Sequence, residues 1–143
     1  MANLFFEPTY LKHIFPALHQ AASSVRYILI AEQDDSNFLY FQVISRKLNI
    51  VLLRATDGLQ AIEAVKTNPA ISMVLMNIRI PKVDGYEATA EIRRINPGIP
   101  IIAINSSAFP ESFYKALQVG CCDYLSKPVY PSEYKEMIQL WCH

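Results

Sequence analysis

Short apolar runs alternate with amphipathic stretches along most of the chain, and this alternation limits the possible folds more than any other feature of the sequence. The apolar runs cover residues 27–31, 50–55, 73–76, 99–104 and 123–125. Runs of this length, bounded by polar residues, are typical of strands that are buried on both faces of a sheet. The stretches between them have helical spacing, so the pattern predicts five strands alternating with five helices.

Helix-capping residues mark where the predicted helices begin and end. Asp34, Asp35 and Ser36 can cap a first helix that ends at Asn49. The apolar positions predicted for that helix are Phe38, Leu39, Phe41, Val43, Ile44 and Leu48. Asp57 can cap the second helix. The other three are predicted near residues 86–95, from Pro110 to Gly120, and over 131–141.

The predicted fold class is α/β, a doubly wound five-stranded parallel sheet. Right-handed crossovers leave few topologies for five βα units, and the flavodoxin-like strand order 2-1-3-4-5 is the one we predict. In that order a crevice forms at the carboxyl ends of the first and third strands. Glu32 and Asn77 stand at those two ends, so we expect the functional site there.

Residues 1–25 lie outside the repeating pattern, which gives an N-terminal extension followed by a domain over residues 26–143. The extension has apolar residues at helical spacing: Leu11, Ile14, Phe15, Leu18 and Ala22. We expect a helix, which Pro16 would kink. An apolar stripe must be covered, either by the domain itself or by a second copy or another partner.

Composition excludes several functional classes. Hydrophobic residues make up 52% and charged residues 18% of the 143, as expected for a globular chain. Thirteen basic residues balance thirteen acidic ones, so no charge excess points to nucleic acid or to an anionic membrane. No apolar run approaches the ~20 residues of a membrane helix. Three cysteines without C-x-x-C spacing fit neither a disulfide framework nor a zinc site, and we expect a cytoplasmic location.

Several segments, in order and correctly spaced, resemble the receiver domain of response regulators. They are residues 28–37, 72–85, 84–89, 100–109, 116–120 and 123–128. The resemblance covers about residues 26–141. Ala31-Glu32, followed by residues 37–40, is most similar to receivers attached to hybrid sensor histidine kinases. The resemblance implies that the third strand ends at the phosphoacceptor aspartate, and Asn77 occupies that position here.

The resemblance assigns roles to other positions as well. The two acidic positions after the first strand are Glu32 and Gln33, so one acid is lost. The switch positions are Asn105, Ser106, Tyr124, Lys127 and Pro128. Asn105 and Ser106 are alternatives for one position at the end of the fourth strand, Tyr124 lies in the fifth strand, and Pro128 follows Lys127 after a cis peptide bond. In the family the fourth-strand position is a Thr or Ser whose hydroxyl binds the phosphoryl group.

These replacements change the charge of the predicted pocket. The pocket keeps one carboxylate, Glu32, against one cation, Lys127, whereas the family pattern implies three carboxylates and attracts Mg²⁺. We therefore predict that Mg²⁺ binding is weak or lost, with no metal site and no other cofactor. Glu32 and Lys127 can pair, and Gln33, Asn77 and Asn105 can complete a polar cluster that holds one conformation.

The sequence thus predicts an atypical receiver that is not an enzyme and is not phosphorylated at Asn77, because an amide is a very poor nucleophile. We expect it to bind a protein, namely a histidine kinase, a phosphorelay component or an output domain, through the fourth helix, fifth strand and fifth helix. A homodimer is also compatible. Two alternatives remain open. One is a phosphorelay acceptor, with Asn77 replacing a native Asp or with Asp34 or Asp35 as surrogate, and the other is a ligand-sensing flavodoxin-like module.

Overall fold

The computed structural model describes residues 25–107 and 109–143, and the predicted N-terminal helix lies outside this part. Five strands occur in the described residues. They are β1 (Arg26–Ala31), β2 (Ile50–Ala55), β3 (Ile71–Asn77), β4 (Ile101–Asn105) and β5 (Asp123–Ser126). All neighbouring strands pair in parallel, in the order β2-β1-β3-β4-β5. The predicted fold class and strand order are confirmed.

Five helices connect or follow these strands in the described residues. They are α1 (Asp35–Ser45), α2 (Gly58–Thr67), α3 (Gly85–Ile95), α4 (Pro110–Val119) and α5 (Pro131–Trp141). The Asp34 side chain caps α1 and the Asp57 side chain caps α2, as the sequence predicts. Gly120 ends α4 in the left-handed conformation, where a residue without Cβ is unstrained.

Two strands differ from their predicted ranges by more than one residue at one end. β3 begins at Ile71 and ends at Asn77, because backbone pairing continues beyond the most apolar residues. β4 begins at Ile101 rather than at residue 99, since Pro100 has no N–H to donate to a neighbouring strand. β4 extends to Asn105, which pairs with Ser126.

The sheet separates two apolar cores. One core lies under α2, α3 and α4 and contains Ala61, Ile92 and Ala116. The other lies under α1 and α5, where Phe41 and Tyr134 pack with their ring centroids 5.5 Å apart. Both faces of the sheet are therefore covered by helices, as a parallel sheet requires.

Helix α1 is the element in which the sequence prediction was partly wrong. Leu39 and Val43 are among the apolar positions predicted for this helix, but they are 57% and 45% exposed. At 3.6 residues per turn, Phe41 and Ser45 define the buried stripe, and Leu39 and Val43 fall on the opposite side. The helix also ends at Ser45 rather than at Asn49.

The loop between β3 and α3 is packed closely against its neighbours, and this holds the end of β3 in place. A Cβ atom on Gly58 would lie 1.9 Å from the Val83 carbonyl oxygen, and one on Gly85 would lie 2.6 Å from the Asn77 carbonyl oxygen. Larger residues at either glycine would displace the loop backbone. In the described part of the chain, every helix is too short or too polar to cross a membrane.

Candidate functional site

A cleft of about 510 Å³ lies at the carboxyl ends of β1, β3 and β4, where the topology predicts a site. Its lining residues are Glu32, Gln33, Asp34, Asp35, Asn37, Asn77, Arg79, Asn105, Ser106 and Lys127. Six of the eight residues singled out from the sequence therefore surround one cleft. Tyr124 and Pro128 lie beside it without lining it.

Glu32 is the buried charge at the centre of this cleft, with only 2% of its surface exposed. Its Oε1 atom accepts a hydrogen bond from Nδ2 of Asn77 at 3.1 Å and lies 3.5 Å from Nζ of Lys127. Its Oε2 atom accepts a hydrogen bond from the backbone N–H of Asp34 at 2.9 Å. The carboxylate is thus compensated by one cation and two hydrogen-bond donors, as a buried charge requires.

Both the nitrogen and the oxygen of the Asn77 side-chain amide make hydrogen bonds. Nδ2 donates to Glu32, while Oδ1 accepts a hydrogen bond from the backbone N–H of Arg79 at 3.1 Å. This pairing fixes which end of the amide faces Glu32. A carboxylate in place of the amide would bring two like charges into contact at this distance. The amide therefore suits a buried acid at position 32 in a way that an aspartate would not.

Asn105 ends β4 beside the cleft and is also buried. Its Oδ1 atom accepts a hydrogen bond from the backbone N–H of Ser106 at 2.9 Å. Asn105 and Ser106 both line the cleft, and Asn105 is the buried one of the two.

Tyr124 connects the cleft to the beginning of α4. Its hydroxyl donates a hydrogen bond to the carbonyl oxygen of Ser107 at 2.6 Å, and its ring lies 6.0 Å from that of Phe113 in α4. Burial raises the pKa of the Tyr124 hydroxyl, and a hydrogen bond with the Asn105 side chain partly offsets this. One tyrosine thus links the ends of β4 and β5 to the α4 surface.

The structure places Pro128 after a cis peptide bond with Lys127, as the resemblance implies. Next to it, the Tyr40 hydroxyl of α1 donates a hydrogen bond to the carbonyl oxygen of Val129. The segment that carries Lys127 is therefore joined to α1 as well as to β5.

Gln33 lies outside the buried polar cluster in which the sequence predicts it. It is exposed, and its side chain makes no hydrogen bond to any described residue. Glu32 still follows the strand, since its N–H donates to the Ala55 carbonyl, but the chain leaves the sheet at Gln33. The buried cluster therefore consists of Glu32, Asn77 and Lys127, with Asn105 beside it.

Two arginines contribute to the site without having been singled out from the sequence. Arg54 donates hydrogen bonds to the carbonyl oxygens of Glu32 and Gln33, at 3.0 and 2.9 Å, and pairs with Asp35 at 2.8 Å. A lone arginine in the otherwise apolar strand β2 is a signal that could have identified it. Arg79 is exposed at the rim of the cleft, and nothing in the loop sequence indicates that it points there.

The carboxylates that line the cleft already have partners among the described residues. Mg²⁺ prefers charged oxygen ligands that it can approach directly. Glu32 is already paired, Oδ1 of Asp34 accepts the N–H of Asn37 at 3.0 Å, and Asp35 pairs with Arg54. Within the described ranges there is no group of three or more acidic, histidine or cysteine side chains that could hold a metal ion.

Comparison with known proteins identifies what this architecture is similar to. A family model described as the response regulator receiver domain matches residues 28–139. The hybrid signal transduction protein dokA of Dictyostelium discoideum is 31% identical over 125 residues, which cover 85% of this chain and 7% of that protein. The chain spans less than a quarter of the length of curated relatives such as this one.

Solved structures give the same result. The receiver domain of the sensor histidine kinase PA1611 of Pseudomonas aeruginosa is 32% identical, covers 82% of this chain and 98% of its own, and superposes with a TM-score of 0.76. That structure has a magnesium ion in its active-site cleft. The receiver domain of Ssk1 of Saccharomyces cerevisiae, solved with the histidine phosphotransfer protein Ypd1, is 26% identical, covers 82% of this chain and 88% of its own, and has a TM-score of 0.76.

Proposed function

This chain belongs to the response regulator receiver family of two-component and phosphorelay signalling, and from that premise we propose that it is an atypical receiver that acts by binding proteins without being phosphorylated at Asn77. The hydrogen bond from Asn77 to Glu32 carries the proposal. The amide lacks the nucleophilic oxygen that would form an acyl phosphate. It also occupies the carboxylate that would otherwise help to hold a cation.

The proposed pocket is held in one state by its own contacts. Lys127 and Asn77 both reach Glu32, so the cleft needs neither Mg²⁺ nor a phosphoryl group to compensate its buried acid. Tyr124 is fixed at the same time by its hydrogen bond to Ser107. A receiver with this arrangement presents one constant surface to a partner.

The proposed partner is a histidine kinase, a histidine phosphotransfer protein or an output domain. Support comes from the Ssk1 receiver, which was solved with a histidine phosphotransfer protein. We propose that α4, β5 and α5 form the contact face. Phe113, Tyr114 and Leu117 of α4 are exposed there, and aromatic side chains are common anchors of protein interfaces.

A surrogate acceptor at Asp34 or Asp35 has less support. Oδ1 of Asp34 caps α1, and Asp35 is held by Arg54. Each carboxylate would have to give up its present partner before it could attack phosphorus. The ligand-sensing alternative lacks an apolar, enclosed cavity at the cleft, which small-molecule sites usually have.

Incubation with acetyl phosphate and Mg²⁺, followed by intact-mass measurement, tests the proposal. The native chain should gain no phosphoryl adduct, whereas the Gln33→Asp, Asn77→Asp double variant should gain one. An adduct on the native chain would contradict the proposal. If Asp34→Asn or Asp35→Asn removed that adduct, the surrogate-acceptor alternative would be correct.

The proposed contact face is tested by titrating the ¹⁵N-labelled chain with a histidine phosphotransfer protein. Amide shifts should cluster on α4, β5 and α5, and adding acetyl phosphate should not change the affinity. Tyr114→Asp should weaken binding, while Lys66→Ala, an exposed change in α2 and outside the proposed face, should not. Shifts restricted to other helices would contradict the assignment of the face.

A further inference from the structure

An apolar groove of about 590 Å³ lies beside the polar cleft, between the first half of α1 and the segment that joins β5 to α5. Its apolar lining residues are Tyr40, Phe41, Pro128, Val129 and Tyr130. Its two polar lining residues, Asn37 and Lys127, also line the cleft. Small-molecule sites usually measure about 300–1,000 Å³ and combine apolar walls with a few polar groups. The groove therefore has the size and composition of a ligand site.

Contacts within the protein hold the apolar walls of the groove in place. The Tyr40 hydroxyl donates a hydrogen bond to the carbonyl oxygen of Val129, and this joins α1 to the segment after β5. The Tyr40 ring packs edge-on against Phe41, with the ring centroids 5.9 Å apart. Phe41 and Val129 are themselves buried in the core. Walls that are fixed before binding reduce the entropy that a ligand must overcome.

Two hydrogen-bond donors stand where the groove meets the cleft. The Lys127 side chain is 29% exposed, and its Nζ atom lies 3.5 Å from Oε1 of Glu32. A lysine ammonium has three N–H donors, so Lys127 can also donate to a second acceptor. The Asn37 side-chain amide is half-buried, and no hydrogen bond joins it to another described residue. Amides in such positions usually have a partner.

We propose that the groove binds an aromatic carboxylic acid, with its carboxylate at Lys127 and Asn37 and its ring against the apolar walls. A carboxylate carries a single charge, which suits one lysine that already faces Glu32. A phosphate carries nearly two charges at neutral pH and would be repelled more strongly by Glu32. Aromatic rings pack favourably on other aromatic rings. Because Asn77 does not line the groove, the proposal does not depend on whether Asn77 is phosphorylated.

A segment of a partner protein is the competing occupant, and the dimensions of the groove disfavour it. A standard protein interface has about 20–30 residues on each side, whereas seven residues line this groove. The groove also ends at two polar side chains, which suits a ligand with one polar end.

Titration of the ¹⁵N-labelled full chain with 4-phenylbutyrate at constant pH tests the proposal. We expect saturable amide shifts at Asn37, Phe41 and Val129, with a dissociation constant of about 1 mM or lower. The alcohol 4-phenyl-1-butanol keeps the ring without the charge and should bind at least about fivefold more weakly. The absence of saturable shifts, shifts confined to other residues, or equal affinity for acid and alcohol would each overturn the proposal.

Two matched charge changes on α1 test the polar end of the groove. Asn37→Asp places a carboxylate that repels the ligand and competes for Lys127, so the affinity should fall at least about tenfold. Gln42→Glu adds the same charge to an exposed position of the same helix outside the groove and should leave the affinity unchanged. An acid in the first turn of a helix is favourable, so circular dichroism should show native helix content for Asn37→Asp. Equal affinity of the two variants would contradict the site.

Tyr130→Ser tests the apolar wall. Tyr130 and Phe109 each precede a helix that begins with proline, and both are exposed, so Phe109→Ser is the matched control. Serine is a favoured residue at this position, and the Glu133 side chain can still accept the backbone N–H of residue 130. Tyr130→Ser should weaken 4-phenylbutyrate binding about three- to tenfold, and Phe109→Ser should not. Unchanged affinity of Tyr130→Ser would contradict the proposed position of the ring.

Discussion

At the scale of single residues, the main observation is that Asn77 has a contact of its own. It donates to the buried Glu32 carboxylate, which Lys127 and the Asp34 N–H also stabilise. An amide can make this hydrogen bond, whereas an ionised carboxylate can only accept one. Asn77 and Glu32 therefore form a matched pair, and restoring an acid at position 77 should cost stability unless a cation is added.

The change Asn77→Asp tests this pairing. Without divalent ions it should lower the free energy of unfolding by about 1–3 kcal/mol, because it replaces a hydrogen bond with a buried like-charge contact. Urea denaturation with and without Mg²⁺ measures the effect, and Mg²⁺ should recover part of the loss. Asn68→Asp, outside the cleft, is the matched control and should not respond to Mg²⁺. A variant as stable as the native protein would argue against the pairing.

We expect Lys127 to contribute to the stability of the fold as well as to the proposed contact face. Lys127→Ala leaves Glu32 buried without its cation, so we expect a loss of about 1–3 kcal/mol in the free energy of unfolding. Thermal and urea melts provide the measurement. Lys135→Ala should have little effect, because that lysine is exposed and has no described partner. Equal stability of the two variants would mean that the cluster contributes nothing to the fold.

At the scale of elements, the loop after β3 is held by the amino end of α2. The Asp57 carboxylate accepts a hydrogen bond from the Gln60 N–H at 2.8 Å and lies 3.3 Å from Nζ of Lys82 in that loop. The backbone N–H of Gly58 also donates to the Pro81 carbonyl. These contacts connect the cap of one helix to the loop that follows Asn77.

The Asp57 contacts predict a pH dependence. The hydrogen bond from the Gln60 backbone N–H lowers the pKa of Asp57, and burial opposes this effect. Lys82 lowers the pKa further, so that it lies below its usual value of 3.8. A carboxyl whose pKa is lower in the folded state stabilises the fold above the unfolded pKa, and this contribution is lost as the pH falls through the folded pKa. Asp57→Asn should therefore be less stable than the native protein near neutral pH, and the difference should shrink below about pH 4.

Urea denaturation of both proteins at several pH values provides that measurement. A stability difference that stayed constant down to pH 3, or that grew, would show that the Asp57 charge does not contribute as described.

Tyr124 predicts a local effect on α4. Tyr124→Phe keeps the ring and removes the hydrogen bond to Ser107, at a cost of about 1 kcal/mol. Amide hydrogen exchange should then accelerate in the first turn of α4 more than elsewhere. Tyr114→Phe removes an exposed hydroxyl on the same helix and serves as the control. Equal exchange in the two variants would indicate that Tyr124 does not hold this segment.

At the scale of the whole molecule, the sequence predicts the sheet well, because five alternating strands and helices with right-handed crossovers allow few strand orders. The caps Asp34 and Asp57 were predictable because their side chains act within one turn of helix. The exposure of Leu39 and Val43 was not, since α1 is apolar on both its sides. Gln33 and Arg79 lie just after strands, where the direction of a side chain depends on contacts that distant residues make.

The buried acid of the cleft is compensated by contacts within the protein, so we expect the native chain not to respond to the ligands of a phosphorylated receiver. Titration of the ¹⁵N-labelled chain with Mg²⁺ and beryllofluoride, followed through amide shifts, tests it most directly. The native chain should show no saturable shifts at Glu32, Asn77 and Asn105, and the Gln33→Asp, Asn77→Asp variant should show them. Saturable shifts of the native chain at these three residues would contradict the account.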